Sequence, residues 1–131
     1  MKAEPEWVLR ETVLLLHEQS LAVHGGTSGI RDEGLLDSAL GRPLNLLAYG
    51  QPAVFDLAAS YVHGLVKNHP FLDGNKRTGF VTGVLFLALN GYELTATEAD
   101  AAIRTLALAA GEMTEESYAA WLEANSKPAF A

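Results

Sequence analysis

From Asn75 to Leu89 the chain runs through a segment in which, beyond Thr78, apolar side chains recur on nearly every side of a helical wheel. A segment of that kind is expected to be enclosed by other helices rather than laid on a surface. Asn90-Gly91 supplies its C-terminal stop. Val81-Thr82-Gly83-Val84 would also suit a strand, but the length of the run and the Asn-Gly stop favour helix. Gly79 and Gly83 lie one turn apart and leave a strip without side chains, along which a neighbour can approach closely at some cost in helix propensity.

The remaining segments supply the enclosing helices. Trp7 to Val23 carries Val8, Leu9, Val13, Leu15, Leu16 and Leu21 among polar residues, which fits an amphipathic helix ended by Gly25-Gly26. Asp32 is positioned to cap a short helix over Leu35, Leu36, Ala39 and Leu40, and Pro43 to open another turn or two through Leu47. A helix follows from about Asp56 to Lys67, with Leu57, Ala58, Tyr61, Val62 and Leu65 as its stripe, and Pro70 disfavours helical geometry at His69. Thr95-Ala96-Thr97-Glu98 offers capping-box chemistry for a helix to about Ala110, and Thr114-Glu115-Glu116 caps the last one. The expectation is an all-α, compact single domain of six or seven helices over residues 1–131, with loose ends at about 1–5 and 126–131.

At 131 residues the chain has one domain's length. Its longest apolar run, Phe80 to Leu89, falls well short of the roughly 20 residues a bilayer needs. Acids and a proline occupy Met1 to Glu6, where a secretory signal needs an apolar core. Cysteine is absent, which excludes disulfides and thiolate chemistry and makes a cytoplasmic protein the simplest reading. A net charge of −7 argues against a general binder of nucleic-acid backbones, which concentrates Lys and Arg on one surface. The few cations are unevenly spread, however, and Lys67, Lys76 and Arg77 flank a single segment.

That segment is His69-Pro70-Phe71-Leu72-Asp73-Gly74-Asn75-Lys76-Arg77-Thr78. It joins two helices. An imidazole can take a proton from a hydroxyl, and a carboxylate can reach a magnesium ion that bridges phosphate oxygens. Gly74 lets the chain turn so that the amides of Asn75 to Arg77 point outward at a helix start, where the dipole also favours an anion. Lys76 and Arg77 would neutralise charge developing in a transition state. The combination points to phosphoryl or nucleotidyl transfer. The other histidines fit no metal-ligand spacing: His63 reads as a core residue or one lying behind the site, and His17 and His24 as structural or exposed.

His69 to Thr78 resembles the signature of the Fic/Doc (Fido) proteins, and its Asn-Lys-Arg ending looks like the Doc, death-on-curing, branch. Gly25-Gly26, Gly29 to Asp32, Leu35 to Pro43, Ala58-Ala59, Phe86-Leu87 and Asn90-Gly91 extend the likeness over roughly residues 10 to 125. The resemblance implies an all-helical fold and transfer from a nucleotide, with ATP and Mg²⁺, to a protein hydroxyl. His69 would be the general base, Asp73 the magnesium-linked acid, and Gly74, Asn75, Lys76 and Arg77 the anion-binding turn. Lys67 stands where Doc proteins tend to carry a basic residue near the phosphates. AMP-transferring Fic proteins usually have Gly where Lys76 stands and a second Arg where this chain has Phe80. Both departures disfavour AMP transfer and fit delivery of the terminal phosphate of ATP to Ser or Thr, in the family on a translation elongation factor.

Two further expectations follow from the resemblance. Ala48 to Val54 is the equivalent of a flap that aligns the target peptide by strand-like pairing. The inhibitory pattern of many Fic proteins is met only in part by Gly29-Ile30-Arg31-Asp32-Glu33-Gly34, which begins with Gly, so restraint by a separate antitoxin chain is implied. The competing readings are AMP transfer to a protein hydroxyl and a catalytically silent module that binds a regulatory peptide.

Overall fold

The computed structural model describes residues 4–129, so residues 1–3 and 130–131 of the expected loose ends lie outside the described residues. Among the described residues there are six helices: α1 Arg10–His24, α2 Glu33–Tyr49, α3 Val54–Asn68, α4 Asn75–Leu89, α5 Glu98–Ala110 and α6 Glu115–Ala124. Two three-residue strands, β1 Tyr92–Leu94 and β2 Ser126–Pro128, complete the chain. This is an all-α, single-domain architecture that agrees with the Fido fold. Among the described residues no helix is long and apolar enough to cross a membrane.

The most enclosed helix is α3 rather than α4. Ten residues of α3 are buried, among them Leu57, Tyr61, Val62 and Leu65, against seven of α4. The cause is position: α3 packs against α2, α4, α5 and α6, whereas Val81 and Phe80 on α4 stay half-buried beside an open groove. The glycine strip does what its spacing predicts. A Cβ on Gly83 would stand 2.5 Å from Val62 Cγ2, and one on Gly79 would stand 3.1 Å from Val66 Cγ1, so both glycines let α3 and α4 approach closely.

Residues 33–49, expected as two short pieces, form one 17-residue helix with Pro43 inside it. Pro43 lacks the N–H that would bond to Ala39, a local cost that normally breaks a helix. Here Leu36, Ala39 and Pro43 form one buried stripe against α3, where Gly64 brings Ala39 so close that a Cβ would meet its Cα and carbonyl oxygen at 3.1 Å. Burial of the whole stripe outweighs the missing bond. The caps are otherwise conventional: Asp32 accepts from Leu35 N (2.9 Å) and Thr114 from Ser117 N (3.0 Å). For α5 the cap is Thr97, which accepts from Asp100 N (3.1 Å), while the Thr95 hydroxyl donates to the Asn125 carbonyl (2.8 Å).

Helix α1 starts at Arg10, later than its apolar pattern suggests, because Trp7 to Leu9 are held in non-helical chain. The Val8 amide donates to the buried Tyr61 hydroxyl (3.1 Å), and Asn90 pairs both ways with the Glu6 backbone at 2.9 and 3.0 Å. At the other end, Ser126 to Pro128 are not loose: they pair antiparallel with β1, Tyr92 opposite Pro128 and Leu94 opposite Ser126.

Candidate active site

The loop from His69 to Gly74 joins the two most intimately packed helices, α3 and α4, so its ends are fixed by the core. His69 caps α3 in the left-handed conformation, φ 53° and ψ 54°, with its N–H bonded to Leu65 O (3.3 Å). Gly74 caps α4 at φ 78°, a value glycine adopts freely. Between them Pro70 and Phe71 point inward and are buried, while His69, Leu72 and Asp73 are exposed.

Asn75 closes this loop on itself. Its side-chain oxygen accepts from Phe71 N and its amide donates to Phe71 O, both at 2.9 Å and both buried. The Asn75 side chain is thereby committed to the loop, and only its backbone N–H belongs to the anion-binding turn. The first amides of α4 have no intrahelical acceptors, and the first turn carries no acid. Lys76 and Arg77 are exposed there and have no ion-pair partner among the described residues. A helix start with free amides, no acid and two cations favours an anion on physical grounds.

The Asp73 carboxylate is pre-set from two sides. Oδ1 accepts from Gly74 N (2.9 Å) and Oδ2 from Thr27 N (3.2 Å). Thr27 follows the Gly25-Gly26 turn at the end of α1, and a Cβ on Gly26 would lie 2.9 Å from Asp73 Oδ2. Gly26 therefore does more than help stop α1: it gives the carboxylate room. Among the described residues no three His, Asp or Glu side chains converge as a metal cage. A single carboxylate does fit a magnesium ion that keeps water and substrate phosphate oxygens as its other ligands.

Sequence reasoning assigned His17 no role at this loop. It is 2% exposed, stacks on Phe71 with ring centroids 3.8 Å apart, and its Nε2 lies 2.8 Å from the Asp73 carbonyl oxygen. A carbonyl only accepts, so Nε2 carries the proton. Arg31 donates to the carbonyls of Asn68 and His69, and Gly29 to Asp32 pair with Pro70 to Leu72 like a short strand. The motif-like string at Gly29 to Asp32 was the signal available for this contact, but its partner could not be read from it.

One expected residue is engaged elsewhere, and His63 lies apart from the loop. Lys67 is exposed and donates to Ala109 O (3.3 Å) at the end of α5, which engages its ammonium away from the loop. His63 is half-buried beside Glu115, with Nδ1 3.3 Å from Oε1 but not aligned for a hydrogen bond, and burial above all lowers its pKa, against the pull of Glu115. Ala48 to Val54 run from the end of α2 through an irregular linker into α3, with the Tyr49 ring almost wholly exposed.

Beside the helix start lies a groove of about 610 Å³ between α1, α4 and α5. Leu16, Val23, Phe80, Val81 and Leu106 line it, together with Lys76 and Arg77.

A histidine and an aspartate on a rigid loop, followed by an acid-free helix start bearing Lys and Arg, is an arrangement that the family comparison can test. The model of the Fic/DOC family matches residues 7–87, more than half of the chain, and includes the whole loop. The chain belongs to the Fic/DOC family. Within it, the chain falls in the Doc toxin branch. It is 42% identical over 94 residues to the Toxin Doc of Mycolicibacterium smegmatis, covering 70% of this chain and 69% of that one. It is 31% identical over 110 residues to the Protein kinase doc of Escherichia phage P1, covering 83% of this chain and 86% of the phage protein. In this Doc-branch protein the matched region also takes in the Gly25-Gly26 turn and Gly29 to Asp32, the two segments that hold the loop from outside.

Proposed function

We propose that this protein is a cytoplasmic Doc-type toxin that moves the terminal phosphoryl group of ATP to a Ser or Thr hydroxyl of a target protein, for which the family implies a translation elongation factor. The observation that carries the reading is the exposed His69 and the braced Asp73 carboxylate set against an acid-free helix start with two cations that have no ion-pair partner among the described residues. His69 accepts the hydroxyl proton as the oxygen attacks the γ-phosphorus, the bond from that phosphorus to the bridging oxygen breaks, and ADP leaves. The amides of α4 with Lys76 and Arg77 hold the phosphate oxygens. Magnesium, when bound, would neutralise phosphate charge, and Asp73 is the side chain that would hold it. By the family resemblance Lys76 stands where a diphosphate would approach for AMP transfer, and Phe80, which lines the apolar groove, offers no cation for a further phosphate.

Incubation of target-containing lysate with ATP labelled at the α or the γ position tests the reading. Label should arrive from γ only, and His69→Ala should abolish it. Label from α alone would establish AMP transfer instead, and growth arrest undiminished in His69→Ala would favour a silent binding module.

Restraint by an antitoxin chain goes with this reading, because Gly29 to Asp32 are spent on bracing the loop and supply no inhibitory helix. We assign the groove to that chain. Val23 is 76% and Leu106 57% exposed, so an apolar helix face would find area to bury, and acidic residues on it would complement Lys76 and Arg77. Such a chain would also cover the phosphate site. Val23→Asp with Leu106→Asp should leave growth arrest intact and make it insensitive to the co-expressed antitoxin. Unchanged rescue by the antitoxin would place its contact elsewhere.

A further inference from the structure

His69 is the one non-glycine residue at positive φ among the described residues. Positive φ is uncommon for any residue but glycine, and at the end of a helix it is kept by the contacts that hold the chain there. His69 also stands at the C-terminus of α3, where the last carbonyls have no intrahelical partners. Both needs are met by a side chain from another part of the chain. Arg31 Nε donates to His69 O at 2.7 Å and Arg31 Nη2 to Asn68 O at 2.9 Å.

The guanidinium is itself held by its backbone. Arg31 N and Asp32 N both donate to Pro70 O, at 2.6 and 3.1 Å, and Leu72 N donates to Gly29 O at 3.1 Å. Arg31 is thus pinned to the residues after His69 through its main chain and to residues 68 and 69 through its side chain. A planar fork with two donors in fixed relation suits two successive carbonyls, and an ammonium on a flexible stem cannot reproduce it. The positive charge also complements the negative end of α3.

We propose that Arg31 is a positioning residue for the transfer reaction: its guanidinium holds the His69 main chain in the left-handed turn that presents the imidazole to the target hydroxyl. The proposal rests on His69 being the base, as argued above. Arg31 acts on the proton-transfer geometry and not on nucleotide binding. Its removal should therefore appear in kcat and leave the KM for ATP where it was.

The test is γ-phosphoryl transfer by Arg31→Ala, Arg31→Lys and Arg31→Gln beside His69→Ala, with thermal melting of each. Arg31→Ala should lose at least about tenfold in kcat, since small misplacement of a catalytic group costs that much or more, with KM for ATP changed less than about twofold. Arg31→Lys should fall between Arg31→Ala and the wild type, and guanidinium ion at low concentration should restore part of the activity of Arg31→Ala but none of that of His69→Ala. A rise in KM for ATP at constant kcat would overturn the proposal by making Arg31 a phosphate ligand. Activity that merely tracks the melting temperature would overturn it by making Arg31 structural. If Arg31→Ala does not fold, Arg31→Gln, which keeps one donor, carries the same comparison. A separate readout is the NMR signal of the His69 ring and backbone, which should shift in Arg31→Gln while other loop signals stay. Should His69→Ala keep full activity, the base assignment fails, and the NMR comparison still decides whether Arg31 sets the conformation of residue 69.

Discussion

Gly25 and Gly26 form a controlled pair for asking whether Asp73 must sit where it does. Both have positive φ, 78° and 123°, so an alanine at either is strained by its backbone. The cost is about 1–3 kcal/mol in each case, which for a domain of this size lowers the melting temperature by roughly 3–15 °C. Their surroundings differ. A Cβ on Gly25 meets nothing within 4 Å, whereas one on Gly26 would stand 2.9 Å from Asp73 Oδ2 and 2.9 Å from Leu21 Cδ2. Ordinary contact needs about half an ångström more, so Gly26→Ala must push the carboxylate off the Thr27 amide. Misplacement on that scale costs catalysis about ten- to a hundredfold. The expected outcome is two variants of similar stability by thermal melting, of which Gly26→Ala alone loses γ-phosphoryl transfer. Equal activity losses, or wild-type activity in Gly26→Ala, would refute the argument that the glycine turn exists to place Asp73.

His17→Gln keeps a donor for the Asp73 carbonyl and His17→Phe keeps the stack on Phe71. Gln should retain most activity and Phe should lose about tenfold, with stability falling about 0.5–1.5 kcal/mol for the lost bond, and the reverse order would make the stack the essential contact. Asn75→Ala leaves the buried Phe71 N–H and carbonyl unpaired and should cost about 2–4 kcal/mol in denaturant unfolding, so a loss below that range would mean the loop closes without it. His63, whose folded pKa is lowered chiefly by burial, contributes stability that is fully present above its unfolded value of about 6.5 and is lost as pH falls below it. Melting curves from about pH 7.5 to about pH 5 should therefore fall less steeply for His63→Gln, and parallel curves would remove His63 as a cause.

What could be read in the sequence was what depends on neighbours along the chain. The Asn90-Gly91 stop and the Asp32 and Thr114 caps act within a few residues, the one-turn spacing of Gly79 and Gly83 is itself local, and the structure has all of them where the pattern puts them. Pro43 misled because its local cost is outweighed by a buried stripe whose other wall is Gly64 on the next helix. Ser126 to Pro128 carry no strand signal of their own and acquire one only from β1. The loop motif was legible as chemistry, but its supports were not. His17 is 56 residues from Asp73 and Arg31 is 38 from His69, and nothing in the pattern of α1 or in the Gly29 to Asp32 string names the partner. Lys67 was placed by sequence proximity to the loop, while its ammonium is taken by the end of α5.

Those same separations bear on when the site comes into being. The α3–α4 hairpin is local and can pack early, since its glycine strip needs no third element. The loop at its tip, however, receives its braces from α1 and from residues 29–32, across chain separations whose closure entropy must be met first. A folding intermediate with the hairpin formed and α1 undocked would have most of its core and no organised site. In native-state hydrogen exchange, the Leu72 amide, bonded to Gly29 O, should then open with residues 29–32 and not with the α3–α4 core. Activity would be the last property this chain gains on folding and the first it loses on loosening.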